Sequence, residues 1–358
     1  MSQPAFQTAP ALPQQMKGVL LVGHGGPENL VYRTDLPVPQ PRPGEVVIKV
    51  AAVGVNNTDI NTRTGWYSKQ NNSADDASWN GAALSLPRIQ GADVCGHIVA
   101  VGNGVSPDRI GERVLIEPCL YEVNGEAVNP AWYFGSECDG GFADYTRVAA
   151  RHAHAIQSSL EDAELASFPC SYSTAENMIL RAQVRASDTV LVTGASGGVG
   201  SAAVQLAKAR GATVIAVCGS SKHEQMLALG ADRVLARDAD LLAEIGHNRV
   251  EVVIDLVAGA GWPALLEVMK PRGRYAVAGA IGGAMVTLDV RTLYLKDLTL
   301  LGCTQLDSEV FPSLIDHIEQ GRIKPLVALR FPLQAIHQAQ EAFQQKQHVG
   351  KIVMTMEA

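Results

Sequence analysis

The sequence has no apolar run approaching the roughly 20 residues that a membrane-crossing helix needs. It also lacks any C-x-x-C pair: the six cysteines, at positions 95, 119, 138, 170, 218 and 303, follow no regular spacing. Neither a disulfide framework nor a thiolate-rich metal ribbon can be built from them, and reduced thiols in the cytoplasm are expected. A concentrated basic block is missing too. With a net charge of −7, nucleic acid is not an expected partner, because phosphate-backbone binding needs clustered positive charge. Residues 1–10 carry neither a basic stretch nor an apolar core of the secretory type, so they read as a loose arm. No internal repeat is visible. What is present is a chain of 358 residues, 47% hydrophobic and 18% charged, long enough to bury two cores.

The most informative stretch is Val190-Leu-Val-Thr-Gly194-Ala195-Ser196-Gly197-Gly198-Val199-Gly200, which runs straight into Ser201-Ala-Ala-Val-Gln-Leu-Ala-Lys. An apolar strand turns on glycines and opens a helix. Glycines let the backbone turn sharply and approach a pyrophosphate, while helix N-terminal N–H groups stabilise its charge. The G-x-G-x-x-G pattern is imperfect in either register, since Ala195 takes the first glycine position in one and Ala203 the last in the other. The flanks compensate. A second buried strand follows at 213–218, completing a strand–helix–strand unit for a dinucleotide.

The end of that second strand carries no acid. A ribose 2′-OH is commonly held by Asp or Glu about 20 residues after the glycines, whereas this chain reads Cys218-Gly219-Ser220-Ser221-Lys222. Two hydroxyls and an ammonium suit a 2′-phosphate, so NADPH is the expected cofactor. Lys222 has a second reading, as a solvated residue ahead of a helix at 224–229. Arg237 is placed to cover the adenine, or equally to sit in solvent. Val257 and the run Gly279-Ala280-Ile281 end successive parallel strands, where backbone groups face the ligand.

Along the chain, short β-rich segments at 18–22, 44–54, 97–102 and 112–116 are separated by Pro and Gly. From about 161 strands alternate with helices, with strands at 189–193, 214–218, 252–256 and 274–279, as in a doubly wound parallel sheet. Beyond 310 come helices at 311–320 and 333–344, then a closing strand at 350–354. A lone strand must pair somewhere, so the tail is expected to return to the first module, leaving the nucleotide domain inserted and the substrate in the crevice. The expected division is 1–160 with 311–358, and 161–310. Residues 68–83, polar and rich in small side chains, read as a long surface loop beside the site.

Pro41-Arg-Pro-Gly44-Glu-Val-Val-Ile-Lys-Val, Gly54-Val-Asn56-Asn57-Thr58-Asp59, Pro87-Arg-Ile-Gln-Gly91-Ala92-Asp93-Val-Cys-Gly96, Gly111-Glu-Arg-Val and Asp139-Gly-Gly141-Phe-Ala-Asp-Tyr145 precede the glycine turn. In this order they resemble the medium-chain dehydrogenase/reductase superfamily, over about 17–354, and within it the zinc-free quinone oxidoreductase branch. The resemblance implies an α/β chain: a GroES-like β-rich catalytic domain with an inserted Rossmann domain. It also implies hydride transfer from NADPH to a quinone, enone or other carbonyl compound, and a homodimer.

Zinc alcohol dehydrogenases share this architecture, and by the same resemblance their catalytic metal would need Cys at Asn56, His at Ala92 and Cys at Cys170. One ligand of three cannot assemble the usual N/S site, and Asp59, Asp93 and Cys170 would make an unusual set for zinc. Cys170 then reads as a cleft liner or packed thiol. Hydride transfer without metal still leaves charge on a carbonyl oxygen that needs a donor. Asn56, Tyr67 and Tyr172 are candidates, and the resemblance places Asn56, Asp59 and Tyr67 at the nicotinamide and substrate cleft, with Trp66 beside them. Asn56 and Asp59 could instead fix a loop, and Trp66 and Tyr67 could be packing aromatics. A metal-dependent alcohol dehydrogenase and a non-catalytic NADPH-binding or RNA-binding relative of the crystallin type are the alternatives.

Overall fold

The computed structural model describes residues 12–69 and 76–356. The 1–10 arm and part of the 68–83 loop therefore lie outside the described residues. The chain forms two compact units. One comprises 12–170, 329–345 and 352–356, and the other 171–328 and 346–351.

In the first unit, β-branched residues separated by Pro and Gly give, among the described residues before 156, the strands β1 (Gln15–Leu21), β2 (Leu30–Pro37), β3 (Glu45–Val55), β4 (Arg88–Ile89), β5 (Asp93–Val101), β6 (Arg113–Ile116), β7 (Cys119–Val123), β8 (Glu126–Tyr133), β9 (Tyr145–Ala149) and β10 (Ala153–Ala155). β3 is the axis. It is buried along most of its length and pairs antiparallel with both β5 and β9, which explains its nearly unbroken run of Val, Ile and Ala. Helix α1 (Asn57–Thr64) leaves β3 at once and ends on Gly65 in the left-handed region, φ 71°. Helices α2 (Asp162–Leu165) and α3 (Pro169–Arg181) close this part of the chain.

The second unit repeats the alternation read from the sequence: β11 (Thr189–Val192), α4 (Gly198–Ala209), β12 (Thr213–Cys218), α5 (His223–Ala228), β13 (Arg233–Ala236), α6 (Leu241–Ile245), β14 (Val250–Asp255), α7 (Trp262–Val268), β15 (Met269–Val277), α8 (Val290–Leu295) and β16 (Thr299–Gly302). All pairs are parallel, in the order β13-β12-β11-β14-β15-β16. This is the Rossmann arrangement, in which ligands bind outside the strands' carboxyl ends at the reversal of strand order.

The chain then continues through α9 (Val310–Glu319), β17 (Val327–Pro332), α10 (Ile336–Gln345) and β18 (Lys351–Thr355). β18 pairs antiparallel with β3, Ile352 opposite Val55, so the tail does return to the β-rich unit. α10 buries Ile336, Ala339 and Phe343 in that unit's core. The units divide later than residues 160 and 310, for a packing reason. α9 buries Val310, Phe311, Leu314 and Ile318, and Ser313 Oγ donates to Glu176 Oε1 on α3 at 2.7 Å. That buried carboxylate also receives Arg210, on the turn after α4, at 2.6 Å. Residues 311–328 are thereby held to the nucleotide-type sheet.

Candidate functional site

At the start of α1 the Asp59 carboxylate accepts from the Asn56 N–H at 2.7 Å, the return half of a capping box. The Asn56 side chain completes that box and also reaches across to β5, its Nδ2 donating to Asp93 Oδ2 at 2.8 Å. The second oxygen of Asp93 accepts a short hydrogen bond from the Cys170 N–H. Asp93 is fully buried. Gly54 makes room for it, since a Cβ there would lie 2.6 Å from Asp93 Oδ2. Asn56, Asp93 and Cys170, distant in sequence, are thus one polar knot. We expect Asp93→Ala, which strands two buried donors, to cost roughly 2–6 kcal/mol at 1–3 kcal/mol each. Urea denaturation checks this, and a loss below about 1 kcal/mol would contradict a closed knot.

Tyr67 lies beside the knot, its hydroxyl donating to Thr58 Oγ1 at 3.3 Å. Burial raises its pKa, so the phenol stays protonated and available as a donor through the neutral range. Trp66 packs edge-on against it, ring centroids 5.6 Å apart, and is half exposed. The loop expectation for 68–83 needs correction. Ala77 and Ser78 are buried, and the N–H groups of Trp79 and Asn80 donate to Ser136 Oγ and Glu137 Oε1 at 3.1 and 2.9 Å. The described end of this segment is a packed wall, because those side chains satisfy its backbone. Trp79 stacks on Tyr133, centroids 5.0 Å apart, and Tyr133 Oη shares a hydrogen bond with Cys170 Sγ at 2.8 Å. Ala92 is in the same cluster.

A catalytic zinc does not fit this donor set. Asn56 and Asp93 are committed to one another, Ala92 has no donor, and the Cys170 sulfur is engaged by Tyr133. Among the described residues, no three or more His, Cys, Asp or Glu side chains are grouped to hold a metal.

Tyr172 is a correction. Its hydroxyl donates to the Lys324 carbonyl at 2.7 Å and accepts from Gln205 Nε2 at 3.0 Å, and the ring is 1% exposed. A phenol has one proton to give, and this one is spent inside the second unit, so Tyr172 is neither a substrate liner nor an oxyanion donor.

In the second unit, Gly194 turns the chain after β11 at φ +58°. Gly200 allows α4 to press on that turn, where a Cβ would meet Gly194 O at 2.3 Å. Gly197 differs. Its nearest neighbour would be Gly194 O at 3.5 Å, ordinary contact, so nothing inside the unit requires its missing side chain. A glycine facing open space at the N-terminus of a 12-residue helix fits a closely approaching pyrophosphate. Ala195, Ser196, Gly198 and Val199 complete the turn, the Ala195 N–H donating to the Val217 carbonyl at 3.0 Å.

At the end of β12, Cys218 and Gly219 lead into Ser220 and Ser221, both exposed. The Arg237 guanidinium lies over Gly219, 3.6 Å from where its Cβ would stand. Lys222 is placed differently from expectation. Its ammonium donates to the carbonyls of Lys346 and His348, each at 2.8 Å, leaving one of three donors for a ligand. The segment 346–351, missed by sequence reasoning as part of this unit, also reaches the glycine turn through Gly350 N–H to Ser196 O at 3.3 Å. Burial, with the ammoniums of Lys351 and Lys222 nearby, lowers Lys346 to about 8. That crowding of cations favours an anion among them.

Asp255, fully buried at the end of β14, accepts from Thr193 Oγ1 and Tyr275 Oη, both at 2.5 Å, and from the Val257 N–H at 2.9 Å. It shapes the loop that meets 279–283, where the Gly282 N–H donates to the Val257 carbonyl at 2.8 Å. Gly279 fits under Leu256, while Ile281 is 67% exposed. Val257, Gly279, Ala280 and Ile281 therefore stand together at the carboxyl ends of β14 and β15.

Two family profiles match: alcohol dehydrogenase GroES-like domain over 42–158 and zinc-binding dehydrogenase over 198–320. The chain is 29% identical to quinone oxidoreductase of Rattus norvegicus, covering 95% of this chain and 98% of that one. It is 30% identical to acryloyl-coenzyme A reductase of Metallosphaera sedula, covering 95% and 100%. A solved structure from Sinorhizobium meliloti 1021, provisionally titled an alcohol dehydrogenase, is 46% identical, with TM-score 0.88 over 97% of this chain and 98% of that one.

Proposed function

Because the chain belongs to the medium-chain dehydrogenase/reductase superfamily, a group of nicotinamide-dependent oxidoreductases, we propose that it reduces quinones or the activated C=C bond of α,β-unsaturated carbonyl compounds with NADPH and without zinc. The observation that carries this reading is the donor set at the three positions where the resemblance puts metal ligands: the Asn56 side chain donates to Asp93, Ala92 has no donor atom, and the Cys170 sulfur is paired with the Tyr133 hydroxyl. The relatives named quinone oxidoreductase and acryloyl-coenzyme A reductase support the substrate class.

Bound NADPH would supply a hydride from C4. Gly197 and the first turn of α4 would hold the pyrophosphate, and Ser220, Ser221, Arg237 and the remaining Lys222 donor the 2′-phosphate. The substrate carbonyl would be oriented by Tyr67, whose hydroxyl would exchange its long 3.3 Å hydrogen bond to Thr58 Oγ1 for one to the substrate oxygen, and burial, which raises its pKa, keeps that proton in place as charge builds there. Asn56 and Asp59 would position the start of α1. No helix of the described residues is long and apolar enough to cross a membrane. A homodimer is part of the proposal: Val290, Tyr294 and Leu295 of α8 and Leu300 of the edge strand β16 are exposed apolar surface that a second copy would cover.

The test is a quinone and enone panel under NADPH and NADH with a chelator present, alongside Lys222→Ala. NADPH should be the better cofactor, and turnover should survive chelation. Lys222→Ala should weaken NADPH by roughly 1.5–3 kcal/mol, the scale of a charged hydrogen bond, and NADH far less. Equal losses for both cofactors by calorimetry would assign Lys222 to the 346–348 loop alone.

A further inference from the structure

Tyr133 ends β8, in a hairpin whose chemistry the sequence alone does not disclose. Its ring is held on one face by Trp79, its backbone N–H donates to Glu137 Oε2 at 2.7 Å, and its hydroxyl meets the Cys170 sulfur at 2.8 Å. Trp79 is itself fixed through its N–H to Ser136. The ring so held packs against Ala92 and Cys170. Burial raises the Tyr133 pKa, and Cys170, Asp93 and Tyr67 add to the effect. Tyr133, from β8, is hydrogen-bonded to Cys170, and Tyr67, from the turn after α1, adds a second neutral phenol whose pKa Cys170 also raises.

Proton counting decides what the pair can do. A phenol has one proton and two lone pairs, and a thiol has one proton of its own. One hydrogen bond joins Oη to Sγ. When the thiol is its donor, the phenol accepts, and its own O–H is left to reach a further acceptor. We propose that Tyr133 is a second oxyanion donor of the reductase, its hydroxyl supported from behind by the Cys170 thiol and directed at the same substrate oxygen as Tyr67. This rests on the reductase reading above. In the step, hydride supplied by bound NADPH, which would leave as NADP⁺, would add to the β-carbon, the C=C pair would become the Cα–carbonyl-carbon double bond of an enolate, and the C=O π pair would move onto oxygen. Both phenols keep their protons and stabilise that oxygen by hydrogen bonding until water protonates the α-carbon.

The experiment compares wild type, Tyr133→Phe, Tyr67→Phe and the double variant on the best enone, with NADPH affinity and the rate of Cys170 alkylation by iodoacetamide, read by peptide mass spectrometry, measured alongside. Tyr133→Phe keeps the ring and its stacking on Trp79, so NADPH affinity should stay within about threefold. We expect kcat to fall about 10- to 100-fold, the double variant to lose less than the product of the two single losses, and Cys170 to alkylate several-fold faster once its phenol partner is gone. Should Tyr133→Phe fail to fold, Cys170→Ser, which keeps a hydroxyl partner for Oη, should retain most of the activity while Cys170→Ala loses about tenfold. A wild type that turns over while Tyr133→Phe, or Cys170→Ala in its place, matches its kcat within twofold overturns the donor role alone. A wild type inactive on the whole panel overturns the reductase reading, and the donor role with it.

Discussion

Gly197→Val should leave the protein folded and unable to hold its cofactor. Gly197 has φ −76°, a backbone any residue adopts, and a Cβ there would touch nothing closer than 3.5 Å. Folding stability should therefore stay within about 0.5 kcal/mol of wild type, as for a surface substitution. The branched side chain would occupy the space through which a pyrophosphate approaches α4, so NADPH affinity should drop at least about 100-fold, near 2.7 kcal/mol. Gly200→Val is the contrast. Its Cβ would collide with backbone at Gly194 and Ala195, 2.3 and 2.6 Å away, so it should destabilise the unit by roughly 1–3 kcal/mol as overpacking does. Thermal melts and calorimetry on both variants separate the two roles. A Gly197→Val protein that binds NADPH normally would mean the turn does not cradle the pyrophosphate.

Tyr67→Phe should lower kcat or kcat/KM with the best enone or quinone by roughly ten- to a thousandfold, the range of a lost oxyanion donor, while cofactor affinity stays within about threefold. The hydroxyl's bond to Thr58 Oγ1 is long, 3.3 Å, with Asn61 a second polar neighbour, so the loss of folding stability should be about 1 kcal/mol. An activity change below about threefold would leave Tyr67 as a packing partner of Trp66. Its pH dependence has a defined sign. Burial raises the phenol pKa, so the donor proton is retained as pH climbs past the ordinary tyrosine range, and any alkaline loss of rate from this group should come above that range.

Legibility differed with the range of the forces involved. The parallel sheet was readable because β11, β12 and β14 are continuous apolar runs with helices between, and the glycine turn because its spacing is local. β16 was missed: Thr299-Leu-Leu-Gly302 is four residues long, too short for periodicity, and exists by pairing with β15. The hairpin of β7 and β8 carried a readable signal, Asn124-Gly125, both at positive φ, the composition of a tight hairpin turn. Tyr172 was misplaced because Cys170, two residues before it, borders the knot, yet two steps along α3 turn a side chain by about 200°. Lys222 was legible as a cation beyond β12, but not its anchoring of the 346–348 carbonyls, a contact across more than 120 residues. The Tyr133–Cys170 pair is likewise created by tertiary packing alone.

The most direct measurement of the central claim uses NADPH deuterated at both C4 positions and an enone substrate. Hydride delivery to an activated C=C bond predicts one deuterium in the product, bonded to the carbon β to the carbonyl, with a solvent hydrogen at the α-carbon. Turnover with no deuterium at the β-carbon would contradict direct hydride delivery to the C=C bond.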